Sequence, residues 1–141
     1  RQQNLPGQYH FSELGIADYD GKARFYPPAD AKHVSHSMVV RHHGYDVFVE
    51  VEVRRLQTIA RILGHDRIDL LKMDIEGAEY RVLEDVLGSG IDVPQIVLEF
   101  HHRFSGFSRR DSSRAARFLN RHGYKIFSVS SREENVGFIR K

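Results

Sequence analysis

Hydrophobic and polar positions change period several times along the chain, and each change marks an element. Residues 1–8 are polar around Pro6-Gly7 and read as a lead-in. Leu14 and Ile16 lead to Asp20-Gly21, and Ala23-Arg24-Phe25-Tyr26 follows. That pattern predicts a β-hairpin over 12–27, with Asp-Gly in a tight turn whose central positions need positive φ. Pro27-Pro28 ends its second strand. Residues 29–46 carry His33, Ser35, His36, Ser37, His42, His43 and Gly44 without a period, which predicts a long functional or mobile loop. Val47 to Val53 alternates apolar and acidic residues, the mark of a half-exposed strand. Leu56, Ile59, Ala60 and Leu63 recur at helical spacing, with Gly64 where a C-cap belongs.

The second half is more rhythmic. Residues 68–74 predict a mostly apolar strand, and Val82, Leu83, Val86 and Leu87 form one face of a helix closed by Gly88 and Gly90. Pro94 precedes a buried strand over 96–100, and a loop around Gly106 leads to a helix with Ala115, Phe118, Leu119 and His122 on one side. Residues 124–129 and 136–140 read as two final strands around a polar turn. Strands alternating with helices imply βαβ units and an α/β fold with a mostly parallel sheet. The last two strands are joined too tightly for a crossover, so that pair is antiparallel.

Composition narrows the classes. A length of 141 residues suits one domain, and 40% apolar with 28% charged residues is ordinary globular usage. The absence of cysteine excludes disulfide scaffolds, thiolate metal sites and cysteine nucleophiles. No apolar run approaches the ~18–20 residues of a membrane span, so no membrane partner is expected. A net charge of +2 does not imply bulk nucleic-acid binding. The chain opens Arg1-Gln2-Gln3-Asn4, without an initiator Met or a signal-peptide pattern. It reads as a piece of something longer, placed in the cytoplasm.

In open α/β sheets ligands gather beyond the carboxyl ends of the strands. The richest pattern at such an end is Lys72-Met73-Asp74-Ile75-Glu76-Gly77-Ala78-Glu79. Strand alternation puts Lys72, Asp74 and Glu76 on one face, and a lysine inside an apolar strand needs a partner such as Asp74. The plain alternative is that Asp74 or Glu76 caps the following helix. The next strand ends Glu99-Phe100-His101-His102, so His101 and Asp74 should emerge on one edge. A carboxylate with an imidazole suits general-base work on a hydroxyl, and either Asp74 or His101 could be the base. The histidines lack a metal-ligand spacing, so no metal is expected; His33, His36, His42 and His43 read as solvated loop residues. Arg110, Arg114, Arg117 and Arg121 line one face of the last helix. They form a solvated amphipathic face or, in an alternative reading, the binding face of a non-catalytic module for an anionic partner. Aromatic residues are not interleaved with them, which weighs against nucleic acid.

The run 68–79 resembles the signature of the FkbM-type methyltransferases, in which a strand ending Lys-x-Asp-x-Glu-Gly-x-Glu precedes a helix. Gly15-Ile16-Ala17-Asp18, Asp20-Gly21, Phe25-Tyr26, Val51-x-Val53 and Val97-Leu98-Glu99-Phe100-His101 resemble flanking segments of that family in the same order. The resemblance implies a Rossmann-like sheet and S-adenosylmethionine-dependent methylation of hydroxyls on sugars or small natural products. It implies that Asp74 lies near the transferred methyl group and contributes to cofactor binding, with Ala17 and Asp18 at the adenine edge. It also implies that Glu76, with Lys72 and His102, belongs to the acceptor side and that His101 faces the acceptor. The family's glycine-rich cofactor turn and ribose-binding acid precede the region present here. The chain therefore resembles the C-terminal portion of a methyltransferase domain, without the N-terminal cofactor-binding strands and inactive alone. The 68–74 strand, without its first-strand neighbour, is then expected to be an exposed sheet edge or to pair with the 12–27 hairpin. An exposed edge would open a route to a homodimer.

Overall fold

A computed structural model describes residues 9–28, 36–38, 47–104 and 106–140. Residues 33, 35 and 42–44, and with them most of the 29–46 loop reading, lie outside the described residues. The described chain runs β1 (Gly15–Ile16), β2 (Gly21–Phe25), β3 (Val49–Arg54), α1 (Leu56–Ile62), β4 (Leu71–Met73), α2 (Glu79–Gly88), β5 (Gln95–Glu99), α3 (Arg109–Arg121), β6 (Tyr124–Val129) and β7 (Asn135–Arg140).

The strands form two sheets, ordered β1-β3-β2 and β4-β5-β7-β6. In the larger sheet β4 and β5 are parallel, joined by α2 as a βαβ unit. Leu71, Met73, Ile96, Leu98, Val136 and Phe138 bury one face of that sheet in a core shared with Val82, Leu83 and Val86 of α2 and Ala115 and Leu119 of α3. The apolar spacing of the two helices produces this layer directly, since residues three and four apart share a face. The N-terminus of α3 is held by Asp111, whose carboxylate accepts from both the N–H and the hydroxyl of Ser108.

The sheets are less parallel than the sequence pattern implies. Only β1–β3 and β4–β5 run parallel; β2–β3, β5–β7 and β6–β7 are antiparallel. The final pair is antiparallel as expected. However, β7 returns from its turn to lie between β5 and β6, which makes a second antiparallel ladder with β5. The strand expected over 68–74 shortens to Leu71–Met73; ahead of it the chain makes only an isolated bridge, Arg67 to Asp92, with the Ile68 N–H donating to the Asp92 carbonyl at 2.9 Å. β4 ends the sheet, with no neighbour on its outer side among the described residues.

The 12–27 hairpin does not form. β1 and β2 each pair with β3, which lies between them. Asp20 is not spent on a turn. Its two carboxylate oxygens accept from the Arg55 N–H at 2.8 Å and the Thr58 hydroxyl at 2.9 Å, satisfying the start of α1. This bond and the hydrogen bond of Thr58 lower the Asp20 carboxyl below its ordinary range. The small sheet has its own core of Ala17, Ala23 and Val53, closed by Phe25 and Met38. Arg55 at the head of α1 also pairs with Asp85 of α2 at 2.5 Å, tying the first half to the second.

Candidate functional site

β4 and the β4–α2 loop carry the signature to the carboxyl edge of the larger sheet. The β4–β5 register pairs Met73 with Leu98, so the next step sets Asp74 beside Glu99 and brings His101 to the same edge. Lys72 is exposed, so the cost expected of a buried lysine does not arise; it meets Asp74 Oδ2 at 3.3 Å as a surface ion pair. Neither Asp74 nor Glu76 caps α2, whose N-cap is Ala78 without a side-chain bond. The capping alternative is set aside on that ground.

The loop turns back sharply at Glu76 (φ 57°) and Gly77 (φ 101°). Two successive left-handed residues suit glycine and strain glutamate. The strain is held by two sets of bonds. Ser37, itself buried, donates its hydroxyl to the Glu76 carbonyl at 2.6 Å. Glu79, at 0% exposure, accepts from the N–H groups of Ile75 at 2.9 Å and Gly77 at 3.0 Å. Buried carboxylates of this kind persist only when their lone pairs are engaged.

Glu79 has a third partner. Its Oε1 lies 2.8 Å from His101 Nδ1. Already accepting two backbone bonds, Glu79 is the acceptor here too, so His101 carries its proton on Nδ1 and turns Nε2 outward. Nε2 lies 3.5 Å from Glu76 Oε2 and 3.7 Å from Asp74 Oδ1. The imidazole also packs on Phe104, ring centres 4.6 Å apart. Burial alone would push the His101 imidazole down. The Glu79 hydrogen bond and the charges of Glu79, Glu76 and Asp74 outweigh it and hold it above its ordinary value. Burial, and then the adjacent Asp74 carboxylate, push the Glu99 carboxyl up. Asp74, Glu76, Glu79 and Glu99 thus surround one imidazole and one lysine, and the edge is strongly negative.

Other residues named from the sequence separate into two groups. Asp18 lines a cavity of about 690 Å³ together with Tyr19, Tyr26, Tyr80, Gly77 and Ala78, immediately beside the Glu76–Gly77 turn. Ala17 is fully buried behind it. His102 points the other way. It is buried, and its Nδ1 meets the Ser112 hydroxyl at 3.3 Å, which in turn bonds Tyr80 Oη at 3.1 Å. Sequence reasoning did not assign Glu79 or Glu99. The register of β4 against β5 points to Glu99, but nothing in the sequence distinguishes Glu79 from an ordinary acid in the first turn of a helix. Arg110, Arg114, Arg117 and Arg121 are solvent-exposed on α3, remote in sequence from the signature.

The sequence profile of the methyltransferase FkbM domain matches residues 2–126. The chain belongs to the FkbM methyltransferase family. Within that family context, three curated proteins are similar over parts of the chain. The probable methyltransferase-like protein 24 of Rattus norvegicus is 29% identical over 126 residues, covering 74% of this chain and 35% of that protein. The human protein of the same name is 39% identical over 64 residues, 43% of this chain and 18% of that one. The AMB antimetabolite synthetase AmbE of Pseudomonas aeruginosa is 37% identical over 75 residues, 52% of this chain and 4% of that protein. This FkbM-family chain therefore spans about a third or less of the length of these relatives. No solved structure matches it. Among the described residues, no helix is long and apolar enough to cross a membrane.

Proposed function

We propose that the protein transfers a methyl group from S-adenosylmethionine to a hydroxyl of a small acceptor, of the sugar or natural-product class. Family membership carries the reaction type. The cluster of Asp74, Glu76 and His101 at one strand end, with His101 oriented from behind by buried Glu79, carries the site. The β4-α2-β5 crossover with its polar residues beyond the carboxyl ends supports a Rossmann-like arrangement.

The residues present fit the cofactor at two points. The cavity lined by Asp18 and three tyrosines suits a purine, with the Asp18 carboxylate as an acceptor for an exocyclic amine and Lys22, Arg24 and Arg81 along the same wall. The carboxylate-rich edge at Asp74 suits a positively charged sulfonium. The bound cofactor supplies an electrophilic methyl that is displaced in line. The protein's own task is then to hold an acceptor oxygen at the cluster and to draw off its proton, and positioning dominates such a displacement. A fixed proton-handling group adds perhaps ~10²–10⁴-fold.

The test is product analysis. Incubation of the full-length protein with S-adenosylmethionine and a panel of sugars and polyols should give methyl ethers, identified by mass spectrometry, whereas residues 1–141 alone should give little or none. Transfer only to nitrogen or carbon acceptors would contradict the assignment to hydroxyls.

A further inference from the structure

We propose that Asp74, Glu76 and His101 bind a divalent metal ion, held on Asp74 Oδ1, one Glu76 carboxylate oxygen and His101 Nε2. The histidines show no metal-ligand spacing in the sequence, and no metal is expected from it; the three ligands named here come from two separate strand ends. The fold supplies what the sequence order does not.

One ligand atom from each residue lies within 4.8 Å of the other two. Metal–oxygen and metal–nitrogen bonds of ~2.0–2.2 Å place neighbouring ligand atoms ~3.0–3.5 Å apart. The separations of 3.5 Å and 3.7 Å from Nε2 therefore need only small rotations, and Asp74 is exposed enough to make one. Asp74 divides its oxygens, Oδ2 toward Lys72 and Oδ1 toward the cluster.

His101 gives an independent reason. Its side chain is only 10% exposed, and its hydrogen bond is made through Nδ1 to Glu79. Nε2 faces two carboxylates at ion-pair separations of 3.5 Å and 3.7 Å. With Nδ1 engaged by Glu79, Nε2 and the two carboxylates face one point, and a cation there gives all three a shared partner. A carboxylate bonded to the far ring nitrogen is also what fixes the tautomer of metal-ligating histidines. Two carboxylates with one imidazole suit a cation of hard to borderline character, such as Mg²⁺, Mn²⁺ or Zn²⁺.

Three protein ligands leave coordination positions open. An acceptor with two adjacent oxygens, a vicinal diol, would fill them as a chelate, and the cation would make its hydroxyl more acidic. That role rests on the proposed methyl transfer, whereas the binding itself does not.

Mn²⁺ is the probe, followed by the loss of its free paramagnetic resonance signal on titration with the full chain. The expected result is one Mn²⁺ per chain, with affinity reduced at least ~10-fold in Asp74→Asn and in Glu76→Gln. Circular dichroism melts should show that both variants remain folded. An undiminished free Mn²⁺ signal, or equal uptake by both variants, overturns the site. Uptake lost in the variants upholds it whether or not methyl transfer is found. Methyl transfer that persists in chelator without Mn²⁺ uptake overturns the site and leaves the proposed function standing.

Discussion

Glu79 holds His101 from behind: the fully buried carboxylate sits 2.8 Å from Nδ1 and so directs Nε2 to the open side of the sheet edge. The same carboxylate fixes the loop that carries Asp74 and Glu76, through the N–H groups of Ile75 and Gly77. One side chain therefore sets the geometry of every other group in the cluster. Replacing it by alanine strands two backbone donors and a ring nitrogen in a buried place, each worth ~1–3 kcal/mol when left unpaired. Glu79→Ala should lose about 3 kcal/mol of stability in urea unfolding. Glu79→Gln, which keeps an acceptor, should lose less. Equal stability of all three proteins would show that the buried bonds are not as described.

His102 adjoins His101 in sequence but belongs to the packing of α3. Its Nδ1 bonds Ser112 and its Nε2 has no partner among the described residues. Ser112→Ala, which removes this bond together with the one to Tyr80, should cost about 1–2 kcal/mol and leave the acceptor KM unchanged. A KM that rises while stability holds would place His102 on the acceptor side after all.

Asp20 makes the start of α1 pH-sensitive. Its carboxyl is lowered in the folded protein, first by the Arg55 N–H bond, so it contributes stability above its unfolded value. That contribution is lost as pH falls through the folded value. The melting temperature of Asp20→Ala should lie below that of the parent at neutral pH, and the two should converge in acid. A constant gap from neutral to strongly acid pH would contradict the linkage.

Two glycines test the packing. A Cβ on Gly15 would lie 2.9 Å from Val53 Cγ1, and Val53 is fully buried in the small core. A Cβ on Gly137 would lie 2.7 Å from the tip of the Phe127 ring, but that side chain is 57% exposed and free to swing away. Gly15→Ala should cost ~1–3 kcal/mol, as overpacking does, and Gly137→Ala markedly less. The reverse order in thermal unfolding would contradict the arrangement of the two sheets.

The second half of the fold is legible in the sequence because its periods are strong: α2, β5, α3, β6 and β7 follow the apolar spacing closely. The first half is not, because its contacts are long-range. Asp20-Gly21 has the residues of a turn, yet Asp20 is engaged by Arg55 and Thr58, more than thirty residues away in the chain. No local pattern reveals that β3 will separate β1 from β2. At the site, Asp74 and His101 could be brought together on strand ends alone; the pairing of Lys72 with Asp74 also forms, but at the surface, where the cost of a buried lysine plays no part. Glu79 could not be singled out. Its role depends on a loop that reverses at Glu76 and Gly77, and only the folded backbone displays that reversal.

The most direct test of the account is the turnover of Asp74→Asn, a near-isosteric change that removes the charge facing His101. In the full-length protein, with labelled S-adenosylmethionine and an acceptor methylated by the parent, the variant should lose at least ~100-fold in kcat while melting as the parent does. Turnover of the folded variant at the parental rate would contradict the placement of methyl transfer at the Asp74–Glu76–His101 cluster.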